Sequence, residues 1–283
     1  MKKIGIFVNR ERDPQLSAAT NAITALTMRG ATVLFDVAYK PELDLDNVEF
    51  VTHQDMMKTA DLIVTLGGDG TILKVISDAA EYDTPVIGIN LGHLGFLTQA
   101  EKDDQAIFDK IVNGEFSVNR FMMLKAQIFR DGKPSDISAL ALNDIIFRGD
   151  GTKMISLNVE VDGTVTNSYL ADGIIVATST GSTAYSLSCG GPIVHQALDC
   201  IILTPVCPHT LKSRCIVIPP DSRVVLRFDA SYCSEAELKA DGNPLGHLKD
   251  GDYIEIVKSD KRAPLATVDG GNYFDVIRKK LSD

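Results

Sequence analysis

Asp69 stands within Gly67-Gly68-Asp69-Gly70-Thr71, a carboxylate among three glycines and a hydroxyl. Glycines let backbone N–H groups approach phosphate oxygens without a Cβ in the way, and a carboxylate held beside them can accept a proton. Neither common nucleotide motif is present. Gly70 is followed by Thr71-Ile72-Leu73, so there is no G-x-G-x-x-G, and the chain has no Gly-Lys-Ser/Thr. Judged by turn chemistry alone, the tetrapeptide reads equally well as a tight turn or as a phosphate loop.

Three further segments carry groups that could bind or react. Asn143-Asp144 sets an amide beside a carboxylate between Leu142 and Ile145. Within a strand the two would point to opposite faces, but at a strand end both can reach a ligand's hydroxyls. A turn or capping pair is the plainer reading. Thr178-Ser179-Thr180-Gly181-Ser182-Thr183-Ala184-Tyr185-Ser186 is dense in small donors and acceptors. Tyr185 adds an aromatic face on which a purine can stack, worth about 1–3 kcal/mol. The alternative is a polar surface loop with Tyr185 in the core. Cys207-Pro208-His209 has no third or fourth partner at ligand spacing, which argues against zinc. An i,i+2 pair shares a direction only in a strand, so an activated Cys207 nucleophile is also disfavoured.

Strand and helix patterns alternate around the glycine loop. Residues 3–9 predict a first strand, too short an apolar run for a signal peptide. Asp13-Pro14 predicts a helix start, with Leu16, Ala19, Ile23 and Leu26 at helical spacing as far as Gly30. Residues 31–37, 61–66 and 85–90 predict further strands, with helices near 55–59 and 71–80. Their nearly continuous apolar character fits a parallel sheet covered on both faces. Residues 1–100 therefore predict a doubly wound α/β unit, with Asp69 at the carboxyl end of a strand, where such sheets hold ligands.

After a predicted helix over 103–113 the pattern changes. Asp131-Gly132 and Asp162-Gly163 are hairpin signals, and Asp241-Gly242 between two strand patterns is a third. Strands are expected over 137–147, 173–178, 215–218, 223–229, 236–240 and 253–258, with a helix-like insertion near 183–188. Residues 101–260 thus predict a mainly β, sandwich-like domain. After Gly270-Gly271 the segment 274–281 returns to a helical pattern, expected to pack back on the first domain, so that 261–283 forms a C-terminal return.

Composition excludes several classes. With 283 residues, 45% of them hydrophobic and 23% charged, the chain is neither disordered nor collagen-like. Lys and Arg number 28 against 38 Asp and Glu, a net charge of −10 that offers no general attraction to nucleic acid or an anionic membrane. No apolar stretch approaches the roughly 20 residues of a membrane span. Five cysteines without zinc spacing fit the reducing cytoplasm.

Gly67-Gly68-Asp69-Gly70, Asn143-Asp144, Asp172-Gly173, Thr180-Gly181-Ser182-Thr183-Ala184-Tyr185 and Thr204-Pro205-Val206-Cys207-Pro208-His209-Thr210-Leu211 together resemble the NAD kinase family, of the prokaryotic ATP-NAD kinase type, across most of the chain. Gly-Gly-Asp-Gly is shared with phosphofructokinases and diacylglycerol-type lipid kinases, whereas Thr-Gly-Ser-Thr-Ala-Tyr in this order is more specific. The resemblance implies an α/β domain followed by a β-sandwich-like domain. It also implies a phosphotransferase that phosphorylates the 2′-hydroxyl of the adenosine ribose of NAD, using ATP, another nucleoside triphosphate or polyphosphate, to give NADP.

By matching position, Asp69 resembles the family's proton acceptor. Gly67, Gly68, Gly70 and Thr71 resemble its phosphate loop, with Asp69 and Gly70 also near NAD. Asn143 and Asp144 resemble ribose ligands, and Thr183, Ala184, Tyr185 and Ser188 the NAD-contacting segment. Lys74, Asp172 and Asn243 fall at further contact positions. Two residues depart from the pattern: Asn243, where many relatives carry Gln, and Ser179, where Pro is frequent. Mg2+ or another divalent cation is expected with ATP rather than on a protein metal site, and a homotetramer or homodimer is expected. Two alternatives remain: a lipid kinase, which needs a basic or apolar membrane-facing surface, and a non-catalytic NAD sensor.

Overall fold

The computed structural model describes residues 2–42, 45, 48–92, 95–101, 104–149, 153–210, 212–233, 235–268 and 273–281. The chain divides into two compact units, Met1–Arg120 with Ala263–Asp283, and Phe121–Arg262. Asp103, Leu211 and the Gly270-Gly271 pair lie outside the described residues.

The first unit runs β1 (Lys3–Val8), α1 (Ser17–Met28), β2 (Thr32–Asp36), β3 (Val48–Val51), α2 (His53–Thr59), β4 (Leu62–Gly67), α3 (Asp69–Leu73), α4 (Ile76–Tyr82), β5 (Val86–Asn90), β6 (Ala100–Glu101) and α5 (Ala106–Asn113). Strands β3, β2, β1, β4 and β5 lie side by side in that order, all parallel. One face is covered by α1 and α5: Ile23, Leu26, Phe108 and Ile111, with Leu16 just before α1, pack on Ile4, Ile6, Val64 and Ile87. On the other face α2 lies so close to β1 that a Cβ on Gly5 would meet Met56 Cγ at 2.7 Å. Covered on both sides, β4 and β5 are buried throughout, as their apolar runs predict.

Two helices differ from the sequence reading. α1 begins at Ser17 rather than at Pro14. Asp13 still caps it, from further back: its carboxylate accepts Ala19 N–H at 2.9 Å and the Ser17 hydroxyl at 3.2 Å, while Leu16 turns left-handed at φ 57°. The single helix expected over 71–80 is two short ones, broken at Lys74-Val75. Val75 and Ile76 are both fully buried. A straight helix would point successive residues about 100° apart, so the chain bends to bury both.

The second unit contains β7 (Ser117–Arg130, entering from the first unit), β8 (Lys133–Ala141), β9 (Asp144–Gly149), β10 (Ile155–Val161), β11 (Thr164–Ala171), β12 (Gly173–Thr178), α6 (Tyr185–Ser188), β13 (Ile201–Val206), β14 (Ile216–Ile218), β15 (Val224–Asp229), β16 (Ala236–Ala240), β17 (Asn243–Leu248) and most of β18 (Tyr253–Thr267). One antiparallel sheet has the order β14-β13-β12-β9-β16-β17. The other joins β11, β10, β15 and β18, with β7 beside β18 and β8 beside β7. Inward residues of both share one core, including Phe147, Ile174, Leu203 and Leu238 from the first and Leu157, Leu226 and Ile254 from the second. All three Asp-Gly pairs make hairpin turns with positive φ at both residues: 49° and 72° at Asp131-Gly132, 52° and 81° at Asp162-Gly163, 48° and 80° at Asp241-Gly242.

The segment after β12 covers the outer face of the six-stranded sheet, sealing Ile146, Ile175, Ala177 and Ile202 against Cys189 and Val194. That cover explains why β12 and β13 are buried along their whole length. The strand expected over 137–147 is broken at Leu142-Asn143 into β8 and β9, which belong to different sheets. The final helix α7 (Tyr273–Leu281) belongs to the first unit, with Lys280 Nζ 5.9 Å from the centre of the Phe96 ring.

Candidate functional site

The glycine loop leaves the carboxyl end of β4 and is fixed by Thr71. The Thr71 hydroxyl accepts Gly68 N–H at 3.2 Å, and Thr71 N–H donates to Gly68 O at 2.8 Å. A Cβ on Gly67 would lie 2.0 Å from Thr71 Oγ1, so the turn itself demands glycine there. Gly70 is exposed, and a Cβ on it would meet nothing within 4 Å, so the fold makes no such demand at that position. α3 has five residues, a little over one turn, so its dipole is smaller than the half charge a full helix would bring. Lys74 follows α3 and is exposed.

Asp69 is partly buried and heavily engaged. Its Oδ2 accepts Phe96 N–H at 2.7 Å, and its Oδ1 accepts Leu97 and Thr98 N–H at 3.1 and 3.3 Å. A carboxylate has about four acceptor directions, so among the described residues one, on Oδ2, stays open. Sequence reading overlooked a cation beside this loop. Arg12 lies 3.9 Å (Cζ) from the place a Cβ on Gly68 would take and 2.8 Å (Nη1) from that of Gly92. Its position in the loop after β1, at the carboxyl end of the sheet, is the signal that could have found it.

In the second unit, one end of the six-stranded sheet gathers most of the remaining candidates. β9 starts there at Asp144, β12 ends at Thr178, β16 ends at Ala240 and β17 starts at Asn243. Asp241, which the sequence showed only as a turn residue, reaches into this end. Its carboxylate accepts Leu142 and Asn143 N–H at 2.8 Å and Asp144 N–H at 3.1 Å, and its own N–H donates to Asp144 O at 2.9 Å. Thr178 completes the fastening: its hydroxyl donates to Leu142 O at 2.6 Å and its N–H to Asn143 O at 2.9 Å.

Asp144 is buried, and its carboxyl is pushed up to about 7 by burial, with repulsion from Asp241 adding to it. Burial pushes Asp241 upward as well, but three N–H donors favour its charged form, so the proton of this pair sits on Asp144. Asn143 is half-buried, and among the described residues its side chain takes no hydrogen-bond partner.

The loop after β12 approaches the same bend. A Cβ on Gly181 would lie 2.0 Å from Asn143 O, and Gly181 N–H donates to Thr178 Oγ1 at 3.0 Å. Thr183 Oγ1 donates to Thr180 O at 3.2 Å; Thr183 and Ala184 are half-buried, and Ser188 is exposed. Tyr185 is 39% exposed, enough to offer a ring face rather than fill the core. Burial raises its phenol, which also bonds Cys189, so it stays protonated at neutral pH. Asn243 is exposed at the start of β17. Asp172 stands apart, at the opposite end of β12 from Thr178, about 20 Å of strand away. Among the described residues no group of three or more His, Cys, Asp or Glu could hold a metal ion.

The ATP-NAD kinase N-terminal domain matches residues 4–116 and the ATP-NAD kinase C-terminal domain residues 142–268. The chain belongs to the NAD kinase family. It is 38% identical to an NAD kinase of Symbiobacterium thermophilum over 284 residues, covering 100% of this chain and 99% of that one. An NAD kinase of Thermoanaerobacter sp. is also 38% identical, with 100% of both chains covered. Among solved structures, yeast NADH kinase complexed with NADH superposes with a TM-score of 0.86 at 27% identity, over 99% of this chain and 87% of that one. An NAD kinase from Archaeoglobus fulgidus in complex with ATP gives 0.75 at 25% identity, over 98% of each. The NAD kinase reading of the sequence therefore holds, and the chain is an NAD kinase family enzyme; the lipid-kinase and sensor alternatives gain no support from these relatives. No helix among the described residues is long and apolar enough to cross a membrane.

Proposed function

We propose that this NAD kinase family member transfers the γ-phosphoryl group of ATP to the 2′-hydroxyl of the adenosine ribose of NAD, giving NADP and ADP. The hydroxyl oxygen attacks phosphorus, the bond to the ADP oxygen breaks, and the hydroxyl proton passes to the open direction of Asp69 Oδ2. The observation that carries this reading is the Asp69 carboxylate itself, placed among glycines at the carboxyl end of β4 with one acceptor direction left over. Gly67, Gly68, Gly70 and Thr71, with Arg12 beside them, would hold the phosphates. A divalent cation such as Mg2+, arriving on the triphosphate oxygens, would neutralise charge there.

Asn143 and Asp144 would address the ribose and neighbouring groups. Thr183, Ala184, Tyr185 and Ser188 would take the adenosine, with Tyr185 as the stacking face. Lys74 and Asn243 are further contact positions, whereas Asp172, at the far end of β12, does not join them within one chain. We assign the chain to a homotetramer or homodimer, on the resemblance of its sequence to the family. All five cysteines are free, which suits the cytoplasm.

Asp69→Asn tests the central role. Its amide would set N–H donors against at least one of the Phe96, Leu97 and Thr98 N–H groups, at about 1–3 kcal/mol of stability. ATP-dependent NADP formation is expected to fall about 10²–10⁴-fold while equilibrium binding of NAD persists. Near-normal turnover would remove Asp69 from the role.

A further inference from the structure

We infer that Asp241 is the positioning residue of the nucleotide-binding bend: from a hairpin turn 98 residues further along the chain, its carboxylate sets where Asn143 and Asp144 present their side chains. The inference rests on the reading that this bend contacts NAD.

Turn chemistry does not ask for a buried carboxylate at this position. A type I′ hairpin is equally well made by Asn-Gly or Gly-Gly. The chain itself supplies two comparisons: Asp131 and Asp162 occupy the same left-handed position in their own hairpins, and both are exposed. Asp162 uses its carboxylate on a single exposed N–H, that of Arg223 at 2.8 Å. Asp241 alone turns inward, where among the described residues no cation pairs with it. A buried charge without a counter-ion is costly unless hydrogen bonds replace the lost water. Here the replacement comes from three consecutive amides, Leu142 on Oδ2 and Asn143 and Asp144 on Oδ1.

Those three amides belong to the residues where β8 ends and β9 begins, the point at which the chain leaves one sheet for the other. Nothing else donates to or orients the Asn143 side chain among the described residues, so its direction follows the peptide planes that Asp241 fixes. The same turn leads directly into Asn243, another proposed contact, so one carboxylate holds both sides of the binding end in register. Asp144 faces Asp241 from this turn, whose charge helps raise its carboxyl, and Asp144 in turn helps raise the thiol of Cys189 just after α6.

The test compares wild type, Asp241→Asn and Asn143→Ala as full-length protein, measuring kcat and KM for NAD and for ATP from acid to alkaline pH. Asp241→Asn keeps the shape but turns one acceptor into a donor facing an N–H group and removes the charge beside Asp144. KM for NAD is expected to rise about tenfold or more with KM for ATP within about twofold of wild type. The acid limb of kcat/KM for NAD should move to lower pH, because Asp144 loses a repelling neighbour; a purely structural loss would not move it. If Asn143→Ala raises KM for NAD and Asp241→Asn leaves both KM and the acid limb at wild-type values, the assignment of Asp241 is overturned while the bend keeps its role. If Asn143→Ala leaves KM for NAD unchanged, the bend does not contact NAD and the inference goes with it. Should Asp241→Asn fail to fold, Asp241→Glu, which keeps the charge but displaces it by a methylene, should raise KM with the acid limb near its wild-type position. Wild-type KM in that variant would equally overturn the assignment.

Discussion

Replacing Asp144 by Asn is expected to stabilise the protein at neutral and alkaline pH while lowering its activity. Asp144 carries a carboxyl raised from 3.8 to about 7, first by burial and then by the nearby Asp241 charge. Between those two values the unfolded chain has released the proton and the folded chain still holds it. Stability therefore falls as pH rises from about 4 to about 7, and is flat above that. At 1.36 kcal/mol for each pH unit, the interval corresponds to about 4 kcal/mol, an upper figure for the penalty that ionised Asp144 imposes. An amide of the same shape escapes the penalty. Relative to wild type, the variant should gain nothing near pH 4 and up to about 10 °C in melting temperature near pH 8. Calorimetric melts of both proteins without ligand, across that window, give the comparison. A melting difference that stays constant with pH would show that Asp144 titrates as an ordinary aspartate and would refute the burial reasoning.

Three other substitutions separate fold from chemistry. Gly181→Ala drives a Cβ to 2.0 Å from Asn143 O and 2.5 Å from its carbonyl carbon, backbone that cannot step aside, and should cost about 2–3 kcal/mol in denaturant titration. Wild-type stability there would mean that the loop and the bend are not in contact. Gly70→Ala meets nothing within 4 Å, so stability should stay within about 1 kcal/mol while NADP formation falls; unchanged turnover would place the phosphates elsewhere. Arg12→Ala should raise KM for ATP about tenfold and leave KM for NAD within about twofold, as loss of a charge-assisted phosphate contact requires. Equal effects on both substrates would argue against a phosphate role.

Features carried by contiguous residues were legible. The β4–loop–α3 junction, the hairpins at Asp131-Gly132 and Asp162-Gly163, and the loop leading to Tyr185 each depend on a few neighbours with distinct preferences for turns, strands or caps. Local signals failed where a tertiary partner decides the outcome. Asp13 looks like an adjacent cap, yet it acts across a left-handed Leu16 on a helix that begins four residues later. The 71–80 helix breaks because neighbouring Val75 and Ile76 must both be buried. The four-residue β3 was missed because Val48-Glu49-Phe50-Val51 is too short to show a period. Asp241 was invisible for a different reason: its turn chemistry explained it completely, and nothing in the sequence near it mentions residues 142–144.

Every main-chain N–H and C=O from Leu142 through Asp144 already has a partner inside the protein, three in the Asp241 carboxylate and the others in Thr178 and the Asp241 amide. Whatever docks at this corner therefore meets no free main-chain N–H from these three residues and is read chiefly by side chains. Exchanging Asn143 for another residue can alter which molecule is accepted without rewiring the chain that carries it, which makes this corner a convenient place to redesign acceptor choice.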